Sequence, residues 1–166
     1  MPVTEDLAHI ALQERELILD HFDESRAWTI GSHLRDLAVT RQFPSLVIDI
    51  RRFGQPLFYA TVGVTVPDQA EWIRRKSNVV ARFHRSSYAM GLEMRHKNSS
   101  LFERYGLPIA DYAEHGGSFP LRVANAGIIG SITASGLPQR DDHNFVVEAL
   151  CSFIQRDHAE LRLSPE

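Results

Sequence analysis

The sequence predicts a single α+β domain, an antiparallel sheet with helices packed on it, and three observations carry that expectation. Residues 45–52 (S-L-V-I-D-I-R-R) alternate with the two-residue period of a strand. Strand-like runs come in adjacent pairs joined by short turns, 45–52 with 57–64 and 118–124 with 128–134, which implies antiparallel pairing rather than a doubly wound sheet. Helical periodicities flank both pairs. The stretch from Tyr112 to Ile154 holds most of the small residues and turn signals: a glycine-rich entry, a hairpin, a Ser-Gly turn and a helix. The earlier segments are expected to pack on it.

Residues 4–14 form the first expected helix, with Thr4 as cap, Glu5 and Asp6 in the first turn, and Leu7, Ile10 and Ala11 as an apolar stripe. The run E-L-I-L-D-H-F (16–22) fits either an extension of that helix or a short strand, and the strand is favoured. Asp23 to Ser25 start a helix over 25–41, marked by Trp28, Ile30, Leu34, Leu37 and Ala38 and ended by Phe43-Pro44. In strand 45–52, Leu46, Ile48 and Ile50 point one way and Val47, Asp49 and Arg51 the other. F-G-Q-P (53–56) turns the chain into the return strand 57–64.

One long helix is expected from about 66 to 94, with Thr65 as cap, Pro67 and Asp68 in its first turn, and Glu71 spaced to pair with Arg75. Residues 95–113 read as polar and irregular. Strand 118–124, a turn at Asn125-Ala126-Gly127, strand 128–134 and a helix over 139–156 complete the order.

With 166 residues, one domain can bury roughly 70% of the surface its unfolded chain exposes, so no staple is needed. Hydrophobic residues are 43%, an ordinary globular value. A net charge of -3 argues against a general nucleic-acid binder, although the basic cluster between Arg74 and Arg85 leaves a local anion site open. Cys151 stands alone, which excludes an intramolecular disulfide. There is no charged start followed by an apolar run, and no apolar stretch near the ~18 residues of a membrane span. The expectation is a cytoplasmic protein.

Lys76 is the sharpest chemical signal. At 100° per residue on the expected helix it lies within about 40° of Trp72, Val80, Phe83, Met90 and Met94, with Ser87 on the same stripe. A lysine amid apolar residues must meet a carboxylate or face a pocket that holds an anion. Asp49, beside Arg51 on one strand face, is the expected carboxylate partner; the plainer alternatives are a structural ion pair or a side chain that carries its head to solvent. Arg82 suits carboxylate or phosphate, but Arg85 lies opposite Lys76, so the run R-F-H-R-S-S reads mostly as a solvated face. His115-Gly116-Gly117 offers an acid–base or hydrogen-bonding imidazole beside backbone that can approach a ligand, or simply a turn. Ser135-Gly136-Leu137-Pro138 leads into a helix whose Asp141 and Asp142 oppose an anion there and equally suit the helix dipole. Asp142 and His143 diverge by ~100° and are not a pair.

Several mechanisms are set aside. The eight histidines include no pair three or four apart, and the sequence carries neither a phosphate loop nor a G-x-S-x-G elbow. Cys151, among Leu150, Phe153 and Ile154, reads as a core thiol.

Three segments carry a resemblance: I-D-I-R-R-F-G-Q-P-L-F (48–58), E-W-I-R-R-K-S-N-V-V-A-R-F-H-R-S-S-Y (71–88) and H-G-G-S-F-P-L-R-V followed by G-I-I-G-S-I-T-A-S-G-L-P-Q-R-D-D-H-N-F-V-V-E-A-L (within 115–150). Together they resemble the GlcG/HbpS-like family, often labelled a haem-degrading domain, and within it an uncharacterised branch found in bacteria and fungi. The match spans roughly residues 15–155 of a single domain over 1–166. The resemblance implies a profilin-like antiparallel sheet flanked by helices, assembly into a homo-oligomer, and binding of haem or another small ligand. Asp49, Arg51, Lys76, Arg82, Ser86, His115, Gly116, Gly117, Gln139, Asp142 and His143 match polar positions of that branch.

The resulting expectation is a small anionic ligand, a carboxylate or haem-like group, in a pocket between the long helix and the sheet. Its contacts would come from Asp49, Arg51, Lys76, Arg82, Ser86, His115, Gly116 and Gly117, with His115 and Lys76 as the catalytic candidates and no metal ligand set. Whether a reaction is catalysed is left open by the residues. The alternatives are a non-catalytic oligomeric scaffold for protein partners, and haem binding or degradation through His115 or His84 with propionates on arginine. No nucleic-acid or membrane partner is expected.

Overall fold

Residues 2–165 are described by the structure, a computed structural model. Its strands are β1 (Ile18–Leu19), β2 (Ser45–Arg52), β3 (Gln55–Gly63), β4 (Ser118–Val123) and β5 (Gly127–Ser135), joined in one sheet in the order β1-β4-β5-β2-β3. The two hairpins are antiparallel, as the paired runs predict, and β2 joins them by pairing antiparallel to β5. The ambiguous segment 16–22 does supply a strand, but β1 pairs parallel to β4 and is only two residues long.

Among the described residues the helices are α1 (Val3–Glu16), α2 (Glu24–Thr40), α3 (Asp68–Phe83), α4 (Ser87–His96), α5 (Leu101–Tyr105), α6 (Gln139–Ile154) and α7 (His158–Leu161). Helix α2 begins where Asp23 accepts the Arg26 N–H at 2.7 Å, a side-chain cap of the expected kind. Thr4 and Thr65 do not cap: Pro2 and Pro67 precede α1 and α3, with no capping side chain.

The expected long helix is two helices. His84 takes a left-handed conformation (φ 53) that closes α3, and Ser86 opens α4 by accepting the Ala89 N–H at 3.2 Å. Neither glycine nor proline marks the break. It is held from outside, because the Ser86 N–H donates to Glu14 of α1 at 2.7 Å and Arg85 pairs with Glu93. Residues 95–113, read as irregular, contain α5, and α7 follows the last expected helix.

Helices α2 and α6 cover one sheet face. Leu46, Ile48 and Ile50 of β2 meet Ala27, Ile30 and Leu34 of α2 and Phe145, Val146 and Leu150 of α6 in the main core, where Cys151 is also buried. Each such aliphatic side chain contributes about 1.5–3 kcal/mol on full burial. Burial raises the Cys151 thiol to about 11, consistent with a packing role. Helix α3 covers the opposite face, over β5, β4 and β2. No described helix is long and apolar enough to cross a membrane.

Candidate functional site

The face under α3 is polar where a covered sheet face is normally aliphatic. Register sets Asp49 beside Thr133, Arg51 beside Ser131 and Ser118 beside Thr133, and all but Arg51 are buried. Ser118 and Thr133 share a hydroxyl hydrogen bond of 2.8 Å. Helix α3 lays Lys76 and Ser77 onto this layer. Buried polar groups are costly unless bonded, so their concentration between one helix and one sheet marks this interface as the place to look for function.

Lys76 is 3% exposed and sits on the buried side of α3, as its place in the apolar stripe predicts. Its partner is Asp142, not Asp49. Nζ donates to Asp142 Oδ2 and to Ser135 Oγ, both at 3.1 Å. Asp49 pairs instead with Arg51, two residues along the same strand face, which donates to its Oδ1 from Nε at 2.8 Å. Asp142 is fixed by backbone too: it accepts the Leu137 N–H at 2.9 Å and the Gly136 N–H at 3.3 Å, capping the turn into α6. Burial pushes the Asp142 carboxyl up to about 6, with Lys76 and these N–H groups holding it back; the same burial lowers Lys76, with Asp142 opposing.

A cavity of about 300 Å³ opens onto this pair, lined by Gln69, Trp72, Lys76, His115, Ser135, Gly136, Leu137, Gln139 and Asp142. His115 packs edge-on to Trp72 at 5.3 Å, and Arg75 stacks over the same indole at 4.8 Å. Desolvation, then the charges of Lys76, Arg75 and Arg95, lower the His115 pKa, which keeps the imidazole neutral at neutral pH. Gly116 and Gly117 pack directly against these lining residues. The Gly116 N–H donates to Gln139 at 3.2 Å, and a Cβ on Gly117 would lie 3.0 Å from the Lys76 ammonium and 2.2 Å from the Ala134 carbonyl.

Lys76, His115, Gly116 and Gly117 are therefore brought together, while the other expected contacts are elsewhere. Arg51 lines a separate cleft of about 240 Å³ with His84, Ser77, Asn78 and Ser131. Asp49 is wholly buried beside it, raised by desolvation that Arg51 only partly offsets. Arg82 is exposed and lines neither space, and Ser86 is the buried cap of α4. His143 diverges from Asp142 as its spacing requires, bonding Gln13 at 2.8 Å, and burial drives it down to about 3. Ser135 is unmarked as a contact in the sequence, Gln139 and Asp142 are marked there only by the family resemblance, and Asp142 equally suits the helix dipole. A buried lysine demands a carboxylate, but nothing in the spacing chooses between Asp49 and Asp142.

Among the described residues no group of three His, Cys, Asp or Glu side chains could hold a metal ion.

A model of the family described as "Haem degrading protein HbpS-like" matches residues 22–151. The chain belongs to the HbpS-like family. An Acidobacterium capsulatum protein named "UPF0303 protein" is 60% identical to this HbpS-like chain over 163 residues, covering 98% of each. Among solved structures, that of the "Ybr137w protein" superposes with a TM-score of 0.85 at 26% identity, covering 90% of this chain and 88% of that one. HbpS itself superposes with a TM-score of 0.60 at 16% identity over 81% of this chain and 90% of its own, a likeness of fold.

Proposed function

We propose that this HbpS-like protein binds a small anion, a compact carboxylate, in the cavity above Lys76. One observation carries the reading. An ammonium that is almost wholly buried has two protein acceptors for its three N–H groups and lines a cavity, and the charges of Arg75 and Arg95 act on His115 in the same lining. The Lys76–Asp142 pair neutralises itself, so the surplus positive charge comes from the arginines, and the third Lys76 N–H supplies direction. His115, kept neutral, lines the cavity with an imidazole able to accept a proton from a bound acid.

Titration by calorimetry with acetate, pyruvate, malonate and inorganic phosphate tests this. The comparison is Lys76→Met/Asp142→Asn, which removes both charges and leaves none buried alone. Saturable binding by wild type, weakened about tenfold or more in the double variant, supports the reading, since a hydrogen bond to a charged group contributes about 1.5–3 kcal/mol. Equal binding by both, or none by either, overturns it.

The size of these spaces favours a compact carboxylate over haem. His115 and His84 border cavities of about 300 and 240 Å³, at or below the lower limit of sites for drug-sized ligands, and haem is a larger flat macrocycle. A Soret shift on haem titration, lost in His84→Ala or His115→Ala, would overturn that judgement. Self-association is favoured by a different feature: β3 is an edge strand with Tyr59 exposed, and Val64 and Val66 follow it exposed. Native mass spectrometry reads the subunit count directly, and a monomer at micromolar concentration would remove this reading.

A further inference from the structure

The cleft at Arg51 is separate from the cavity above Lys76, and its most unusual residue is Phe53. The tip of the β2–β3 hairpin is a two-residue turn in which Phe53 (φ 48) and Gly54 (φ 82) both have positive φ. That turn type matches the twist of a hairpin and normally takes Asn-Gly or Asp-Gly. A phenylalanine there is strained, and Phe53 is also 80% exposed, so its ring gains little from burial. Strain together with exposure, at the mouth of a cleft, points to a role for the ring itself.

The rest of the cleft is equally specific. The Nε of Arg51 is occupied by Asp49 at 2.8 Å, which fixes the guanidinium and leaves its two terminal nitrogens without a protein acceptor among the described residues. The pairing of β2 with β3 shifts register between Ile50 and Arg51, an irregularity of the kind that re-aims a side chain. Ile128 and Ile129 of β5 add an apolar lining to the cleft that Arg51 and Phe53 share. The terminal N–H pair of an arginine matches the two oxygens of a carboxylate.

We propose that this cleft is a second binding site, for a carboxylic acid with a small apolar body, its carboxylate on the end of Arg51 and its body between Phe53 and the Ile128–Ile129 wall. A space of about 240 Å³ suits one ring or a short chain. The site is distinct from the cavity above Lys76 and does not depend on it.

Benzoate is the probe, followed by amide chemical shifts of the whole labelled protein, with benzyl alcohol as the neutral match and acetate as the match without a ring. Benzoate is expected to move the amides of residues 128–131 saturably, and benzyl alcohol is not. Phe53→Asn keeps the fold, because the side chain is exposed and asparagine accepts positive φ; it should weaken benzoate about tenfold and leave acetate unchanged. Arg51→Gln/Asp49→Asn removes the anchor without leaving a lone buried carboxylate and should weaken benzoate about ten- to a hundredfold. Any of three results overturns the proposal: no saturable shift at 128–131, unchanged affinity in Phe53→Asn, or shifts confined to residues 135–142, which would place the anion above Lys76. Concentration-dependent shifts around Phe53 without ligand would overturn it also, by giving the ring to a second copy of the chain.

Discussion

Replacing Lys76 by methionine should be far more damaging than a surface lysine change, and the damage should depend on pH. The methionine fills the aliphatic path of the stem but leaves Asp142, with a side chain 2% exposed, without its cation. Breaking a buried pair in this way costs about 3–5 kcal/mol. At this size each kcal/mol moves the melting temperature by about 2–4 °C, so a fall of roughly 6–20 °C is expected at neutral pH. The sign with pH follows from Asp142. Its folded carboxyl is already raised from 3.8 to about 6, and losing Lys76, which holds it down, moves it higher. A carboxyl raised in the fold carries no penalty when both states are protonated, and it loses stability as pH rises from its unfolded value through its folded one. The gap between wild type and Lys76→Met should therefore be small near pH 4 and widen as the pH rises above about 6. Lys76→Met/Asp142→Asn should recover most of the loss. Differential scanning calorimetry across that range reads all three curves. A variant that melts within about 2 °C of wild type at neutral pH, or a gap that ignores pH, would refute the assignment of this pair as buried and mutually dependent.

Three further outcomes follow from the same geometry. Phe53→Asn should raise stability by about 1 kcal/mol, or 2–4 °C in melting temperature, by removing left-handed strain from an exposed side chain; a lower melting temperature would show that the ring packs more than it strains. Gly117→Ala should cost about 1–3 kcal/mol in a urea titration, because φ 129 excludes a side chain and the new methyl would meet the Ala134 carbonyl; an unchanged midpoint would mean the carbonyl can shift freely. In Lys76→Met the His115 pKa should rise, since the charge of Lys76 is one of the causes that depress it; ring-proton shifts followed against pH read the midpoint, and an unmoved one would place the two groups out of range of each other.

Much of the fold was legible because strand periodicity and turn chemistry are local. The alternation of 45–52 yielded a strand over those very residues, the Asn125-Ala126-Gly127 turn placed the second hairpin, and Asp23 started α2. The place of Lys76 on a buried helix side was legible for the same reason: 100° per residue assigns a side without reference to the rest of the chain. The order of the strands, the parallel edge at β1 and the break between α3 and α4 were not local. That break is fixed by Glu14, 72 residues away, against the Ser86 N–H, and nothing within 84–86 announces it.

The division is sharpest at the site. Sequence alone determined that a lysine would be buried, that it would need an acceptor, and that His115-Gly116-Gly117 would bring an imidazole and bare backbone close to something. Tertiary structure decided which carboxylate it met. Asp49 lay on a strand face beside Arg51, so the nearer cation took it, and the packing of α6 against β5 delivered Asp142 to Lys76 instead. The same choice separated Arg51 from Lys76 and made two recesses where one was expected. A residue's side is set by its own helix or strand, but its partner is set by which other element arrives there, and charge pairing is resolved only among groups that packing has already brought within a few ångströms.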